Sequence, residues 1–110
     1  MEKIDITTVF NSKIRLMIVS ELLLGSKTFK ELKESTHTSD GNLSIQCKHL
    51  KTLEIISEEK KFVNSKPQTT YFITKEGKDY FENYVNELLM VLEASKKQEK
   101  ICETENVDEI

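Results

Sequence analysis

The hydrophobic period of the chain changes at Ile55, and this change constrains the fold more than any other feature. Before it, apolar residues recur at helical spacing. After it, ISEEKKFV and TTYFIT are strand-forming stretches, separated by a turn-forming segment over residues 64–68 that contains Pro67. A helical pattern resumes after Thr74. The changes predict a mainly α chain with a small β-hairpin, an α+β fold in one domain of 110 residues.

The first predicted helix is apolar almost all round. Asn11 and Ser12 can cap it, KIRLMIVSELLL carries it to about Leu24, and Gly25 ends it. Because its apolar residues surround the helix axis, the helix must be covered on more than one side. We therefore expect it to contribute to the core and to a contact with another chain.

Two shorter helices follow. Thr28 and Glu31 form a capping box that opens a helix over residues 29–35. Ser39 caps a third helix, and Asp40 in its first turn complements the helix dipole. The apolar residues of the third helix form one narrow stripe, made of Leu43, Cys47, Leu50 and Leu53. Most of the surface of this helix is therefore left for solvent or a ligand.

The predicted order of helix, short helix, helix, hairpin and long helix is that of a winged helix-turn-helix. In this arrangement the third helix lies in a DNA major groove, and its small polar start, SDGN, lets backbone amides approach phosphates.

Thr74 caps the last helix. We divide the single domain, residues 1–110, into a DNA-binding core and wing at about 11–74, a dimerisation helix at about 75–96 and an acidic, frayed tail at about 97–110.

The net charge of −3 is unevenly distributed along the chain. Residues 43–78 carry 7 Lys and 4 Glu, a net charge of +3, whereas residues 79–110 carry 3 Lys and 9 Asp or Glu, a net charge of −6. The acidity is therefore mostly a property of the C-terminal segment. The basic middle segment is compatible with a polyanion as partner.

The run SDGNLSIQCKHLKTLEII, followed by KKF, KPQTTYFIT and KEG, resembles the MarR/ArsR-like winged-helix transcriptional regulators. It is most similar to the small archaeal and bacterial winged helix DNA-binding domain proteins, over roughly residues 10–92. Gln46 and Cys47 stand where the family usually has histidine and leucine, and Lys13 replaces a common proline. Glu54 replaces a glycine, which predicts a helix end without a left-handed cap, because Glu is strained in that conformation.

The polar face of the third helix and the wing are the candidate DNA contacts. Asn42 and Gln46 can bond adenine edges, Ser44 a phosphate, and Ile45 a thymine methyl group. Arg15 is the only arginine, so strong guanine readout is not expected from this helix. The predicted DNA-binding residues are Ser39, Asn42, Ser44, Ile45, Gln46, Lys48 and His49 on recognition helix 39–51, and Lys60, Lys61, Lys66 and Gln68 in wing 60–69.

The resemblance implies a homodimer, joined through its terminal helices, that reads two half-sites of double-stranded DNA. The predicted interface is formed by Ile14, Met17, Tyr80, Phe81, Tyr84, Val85, Leu88 and Leu92. By analogy, a small-molecule effector would bind between the DNA-binding lobe and the dimer helices. The alternative is a winged-helix protein-interaction module with a degenerate DNA-binding face, which the acidic tail and the lack of arginine in the basic segment support.

Other classes of function lack their signatures. Cys47 and His49 point to different faces of a helix, so a metal sensor that also uses His37 and Cys102 is disfavoured, and no metal or other cofactor is predicted. Cys47 is expected to be a small buried hydrophobe. The absence of a phosphate loop, a catalytic carboxylate pair and a nucleophile elbow argues against an enzyme. With no signal peptide or apolar membrane span, a cytoplasmic protein is expected.

Overall fold

The computed structural model describes residues 9–10 and 12–109, with side chains described through residue 97. The predicted cap Asn11 lies outside these residues. The elements are α1 (Lys13–Leu23), β1 (Lys27–Thr28), α2 (Phe29–Thr36), α3 (Asp40–Thr52), β2 (Ile56–Val63), β3 (Lys66–Ile73) and α4 (Lys75–Glu109). The predicted α+β class and the winged helix-turn-helix order of the main elements are confirmed.

The four helices begin at the side-chain caps that the sequence indicates. The hydroxyls of Ser12, Thr28, Ser39 and Thr74 accept hydrogen bonds from the backbone amides three residues later, at 3.3, 3.1, 3.1 and 2.9 Å. At α2 the predicted capping box is complete, because the Glu31 carboxylate also accepts a hydrogen bond from the Thr28 amide at 2.8 Å. That backbone hydrogen bond lowers the pKa of Glu31. Local side-chain chemistry thus fixes where each helix starts.

The sheet has three antiparallel strands in the order β1-β3-β2, one more than the predicted hairpin. The additional strand is the pair Lys27–Thr28, which lies opposite Tyr71 and Thr70 of β3. A strand of this length has no alternating pattern, so the sequence does not reveal it. Its pairing fixes the base of the hairpin beside the start of α2.

The hairpin turn is shorter than the predicted segment 64–68. It consists of Asn64 and Ser65, whose φ angles of 51° and 66° are typical of a type I′ turn. Pro67 therefore lies in β3 rather than in a loop. As the second residue after the turn it directs its nitrogen away from β2, so it removes no hydrogen bond from that ladder.

The core is formed by one side of each helix and the base of the sheet. The predicted stripe of α3 is confirmed, because Leu43, Cys47 and Leu50 are buried and Leu53 is partly buried against them. The other fully or nearly buried apolar residues are Val9, Phe10, Ile18, Val19, Leu22, Leu32, Ile55, Ile56 and Tyr71. Because only this stripe of α3 enters the core, its remaining surface faces outward.

The end of α3 corrects the prediction made from Glu54. Glu54 adopts a left-handed conformation with φ of 62°. The Ile55 amide donates to the Leu50 carbonyl and the Glu54 amide to the Lys51 carbonyl, each at 3.0 Å, which is a Schellman motif. The Thr74 hydroxyl donates to the Glu54 carbonyl at 2.7 Å. These bonds, together with the burial of Ile55, hold a residue in a conformation that glycine would adopt without strain.

Replacing Glu54 by glycine should therefore stabilise the fold. Relief of the left-handed strain outweighs the added freedom of glycine in the unfolded chain, so we expect a gain of about 0.5–1 kcal/mol in the free energy of unfolding. Urea denaturation followed by circular dichroism measures it. Glu54→Ala is the control, because it removes the charge but keeps the Cβ atom; a similar gain from alanine would contradict the explanation by strain.

The last helix is longer than predicted. Its backbone continues past residue 96, where the sequence indicates an end, to Glu109. The segment EASKKQEK has no apolar stripe but consists mostly of good helix formers, and this propensity carries the helix onward. Over the residues that the structure describes, no helix combines the length and apolar character needed to cross a lipid bilayer.

Candidate nucleic-acid interface

The surface of α3 that faces away from the core has three parts. One flank faces the β-hairpin, the other faces α1, and an outer edge lies between them. The outer edge carries Ile45, Lys48 and His49, which are exposed; 65% of the Ile45 surface is accessible. An isoleucine so exposed on a helix that also supplies core residues is a candidate contact for an apolar group of a ligand.

The flank toward the hairpin forms a groove with a volume of about 440 Å³. Ser44, Lys48 and Lys51 line it from α3, and Lys60 and Thr69 line it from the hairpin. The structure thus brings together a helix face and a wing that are separated in sequence. The lysines on both walls give the groove a positive rim.

Glu58 of β2 lies at the base of this groove and partly neutralises it. Its side chain is only 17% exposed and forms an ion pair with Lys51. Lys60 is 3.9 Å from the second Glu58 oxygen. On the other face of β2, Lys61 pairs with Glu59 at 3.0 Å. Part of the positive charge of the wing is therefore engaged within the chain.

The flank toward α1 carries a contact that sequence reasoning missed. The Arg15 guanidinium donates from Nη1 to the Oε1 atom of Gln46 at 2.8 Å. Gln46 and Asn42 are half-buried, and each forms side-chain hydrogen bonds within the protein. The sequence instead predicts that both side chains contact base edges. Arg15 is 31 positions away from Gln46, so no local pattern could have revealed this contact.

Ser39, unlike the other predicted DNA contacts, is the N-cap residue of α3. It is exposed, but its hydroxyl is the cap of α3 and accepts from the Asn42 amide at 3.1 Å. Asp40, the next residue, forms an ion pair of 2.6 Å with Lys33 of α2. This exposed ion pair links the start of α3 to α2.

The tip of the wing combines lysines with apolar groups. Lys66 and Gln68 are exposed, and Phe62 opposite Pro67 is 79% exposed. A second cleft, of about 620 Å³, separates this side of the hairpin from the start of α2 and includes Lys30 and Lys66. Lys30 was not among the predicted contacts.

Cys47 has the properties of a structural thiol rather than a reactive one. Cys47 is buried in the core cluster that also contains Tyr71. Burial raises the pKa of the Cys47 thiol to about 11 and also raises the pKa of the Tyr71 hydroxyl, so both groups are protonated at neutral pH. The Cys102 side chain lies outside the described residues. Within the described part of the chain, no group of three or more His, Cys, Asp or Glu side chains could hold a metal ion.

The residues predicted to form a dimer interface divide into two groups. The half-buried residues are Ile14, Met17, Tyr80, Phe81, Tyr84 and Val85. Leu88 and Leu92, one and two turns further along α4, are 51% and 49% exposed. The apolar stripe of α4 therefore extends beyond the residues of α4 that pack against the rest of the described chain.

Comparisons with known proteins agree with this fold. The profile of the "Winged helix DNA-binding domain" family matches residues 14–92. An uncharacterized protein of Methanocaldococcus jannaschii is 33% identical over 85 residues, which cover 76% of this chain and 91% of that protein.

Among solved structures, a putative transcriptional regulator of the MarR family from Enterococcus faecalis is similar at a TM-score of 0.73 and 18% identity, covering 86% of each chain. A PadR family transcription regulator from Clostridium difficile is similar at a TM-score of 0.66 and 18% identity, covering 78% of this chain and 97% of that one. These likenesses confirm the predicted winged-helix fold. The family is one of DNA-binding domains rather than enzymes, as the sequence indicates. This chain belongs to the winged helix DNA-binding domain family.

Proposed function

We propose that the protein is a sequence-specific transcriptional regulator that binds duplex DNA as a homodimer. In this proposal α3 lies in the major groove, and the wing over residues 60–69 contacts the backbone or the minor groove. The observation that carries the proposal is the outer edge of α3: Ile45, Lys48 and His49 are exposed beside a lysine-rimmed groove. A helix that buries only one narrow stripe leaves this edge available to a ligand.

The side chains of the outer edge suit the chemistry of a major groove. Ile45 offers an apolar contact for a thymine methyl group, and His49 offers a ring nitrogen to a base edge or a phosphate. Lys48 at the groove and Lys66 at the wing tip supply sequence-independent attraction to phosphates. Ser44 faces the hairpin groove and can donate to a phosphate there.

We further propose that the dimer forms through α4 and α1. The apolar stripe that begins with Phe81 and Tyr84 in the core continues to Leu88 and Leu92, where it is about half exposed. Packing against the same stripe of a second chain would bury it. An effector, if the dimer has one, would use the shallow cleft of about 310 Å³ between Leu23 of α1 and α4, where the two helices meet.

Fluorescence anisotropy with a labelled random duplex tests DNA binding. For a dimer that contacts 6–10 phosphates, the affinity should fall by about 10³–10⁵-fold between 50 and 200 mM salt. Lys48→Ala and Lys66→Ala should each lower the affinity by about tenfold at low salt and reduce the salt slope by about one for each phosphate contact removed. Lys97→Ala is the matched control, because this exposed lysine lies on α4, outside the DNA-binding face and on the opposite side of the helix from Leu88.

The protein-interaction module is the other candidate, and the engagement of Lys51, Lys60 and Lys61 with Glu58 and Glu59 favours it. An interaction module should give no anisotropy change with micromolar protein even at low salt. If Lys97→Ala reduced the anisotropy change as strongly as Lys48→Ala does, this would also contradict the proposed interface.

Glu58→Gln should strengthen DNA binding. The amide keeps the shape of the carboxylate but removes a negative charge that faces the proposed phosphate path and that pairs with Lys51. We expect the affinity to rise by about threefold to tenfold and the salt slope to steepen by about one for each lysine released. The same anisotropy titration measures both quantities.

Glu59→Gln is the control for this variant, because Glu59 lies on the opposite face of β2 and pairs with Lys61 there. Its effect on affinity should be smaller. Unchanged or weaker binding by Glu58→Gln, with a melting temperature equal to that of the parent protein, would mean that DNA does not follow this groove.

A further inference from the structure

A directional chain of hydrogen bonds runs along the α1 flank of α3. Arg15 Nη1 donates to Gln46 Oε1 at 2.8 Å. Gln46 Nε2 donates to Asn42 Oδ1 at 3.3 Å, and Asn42 Nδ2 donates to Thr38 Oγ1 at 2.8 Å. We call these four side chains the Arg15 relay. It joins α1 to the residues that precede and begin the recognition helix.

The direction of the relay is set by Arg15. A guanidinium has donors and no acceptor, so Gln46 must present its oxygen to Arg15 and its nitrogen to the next group. Asn42 must then present its own oxygen to Gln46 and its nitrogen to Thr38. One residue on α1 thereby decides the orientation of both amides on α3.

The core holds Arg15 in position. Its Nε atom donates to the Val9 carbonyl at 2.8 Å, and Val9 is buried. The next residue, Phe10, packs against Phe81 and Tyr84 of α4, with ring centroids 5.9 and 4.9 Å apart. The guanidinium is thus anchored to the segment that packs on α4.

The orientation has a consequence for base recognition. An amide reads adenine by accepting from N6 and donating to N7 at the same time, so its oxygen and nitrogen must both face the base. In the relay each amide points its oxygen and its nitrogen to two different protein groups, so the two atoms cannot turn together toward one base, although each oxygen keeps a second lone pair. The second N–H of each amide can still donate singly to an acceptor in the major groove, which is N7 or O6 of guanine, N7 of adenine or O4 of thymine.

We propose that Arg15 is a positioning residue that determines specificity. By holding the oxygen and nitrogen of Gln46 and Asn42 to protein groups, it prevents the two-point readout of adenine that either amide would otherwise offer and leaves single N–H contacts to acceptors in the major groove. The proposal rests on the proposed DNA binding and revises the roles that the sequence suggests for both amides.

Selection of bound duplexes from a randomised library tests the proposal. The parent protein should show no adenine preference at the positions facing Gln46 and Asn42. Arg15→Met removes the donors but keeps an unbranched side chain, so the amides can turn toward the base; we expect adenine at those positions to be enriched by at least about fivefold. Arg15→Lys should restore the parental preference, because an ammonium group also only donates.

A second variant separates the relay from folding. In the Arg15→Met and Gln46→Ala double variant, the adenine preference at the position facing Gln46 should disappear, since Arg15 acts through that amide. Melting followed by circular dichroism identifies variants that are unfolded. Should Arg15→Met fail to fold, Gln46→Glu serves instead: its carboxylate still accepts from Arg15 but donates nothing to Asn42, so adenine should be enriched only at the position facing Asn42.

The outcomes are distinct. A folded Arg15→Met protein with weaker binding but an unchanged base preference overturns the proposal and leaves Arg15 a purely structural role. An adenine preference in the parent protein also overturns it. Absence of binding by the parent protein to any duplex at low salt rejects the proposed function itself, and the specificity role of Arg15 with it.

Discussion

Replacing Gly77 by alanine is expected to lower the free energy of unfolding by about 3 kcal/mol or more. A Cβ atom on Gly77 would lie 2.1 Å from the Ile55 carbonyl oxygen and 3.0 Å from its carbonyl carbon. That carbonyl is fixed, because it accepts from the Thr74 amide at 3.0 Å and shares with the Glu54 carbonyl the one hydrogen of the Thr74 hydroxyl, which is 2.9 Å away. The clash therefore displaces the start of α4, at a cost larger than the roughly 1 kcal/mol by which alanine favours a helix.

Thermal denaturation measures this effect, and we expect the melting temperature to fall by more than about 10 °C. Gly41→Ala is the matched control, because Gly41 is also in the first turn of a helix but an added Cβ would meet nothing within 4 Å. It should be neutral or stabilising by up to about 1 kcal/mol. Equal destabilisation by both substitutions would contradict the role of the Ile55 contact.

The double substitution Leu88→Glu and Leu92→Glu is expected to convert the proposed dimer to a monomer. Both residues lie on the stripe that continues from Phe81 and Tyr84, and carboxylates buried between two copies would lack partners. Since a dimer holds its second DNA-binding domain near the second half-site, the monomer should bind duplex DNA about 10²-fold more weakly. Analytical ultracentrifugation and anisotropy measure the two effects.

Met90→Glu is the control for the dimer prediction. Met90 is 72% exposed and lies about half a turn away from Leu88 and Leu92, on the opposite side of α4. It should leave both the sedimentation coefficient and the DNA affinity unchanged. If the parent protein sediments as a monomer at micromolar concentration, the proposed interface is wrong.

The helix starts could be predicted because their causes are local. Ser12, Thr28, Ser39 and Thr74 each cap a helix through the amide three residues later, so the relevant atoms are neighbours in sequence. The stripe of α3 was predictable for a similar reason, since burial follows the helical period. The general form of the candidate site, a polar helix beside a basic hairpin, follows from these local features.

What sequence reasoning missed depends on residues that are far apart in the chain. The bond between Arg15 and Gln46 and the close approach of Gly77 to Ile55 both arise only once the helices are packed. Glu54 is a different case. Its intrinsic preference opposes the left-handed conformation, but the Schellman bonds and the burial of Ile55 outweigh that preference.

The strand order has a consequence for the solubility of the protein. Because β3 lies between the other two strands, β2 is an edge strand, and in the described part of the chain no strand pairs with the backbone N–H and C=O groups along its outer side. Its centre carries the run Glu58–Lys61, EEKK, in which both signs of charge are packed into four positions. A second copy added in parallel register would place like charges opposite each other, and any foreign strand would strip water from these side chains. The same residues that moderate attraction to phosphates thus protect the free edge from aggregation.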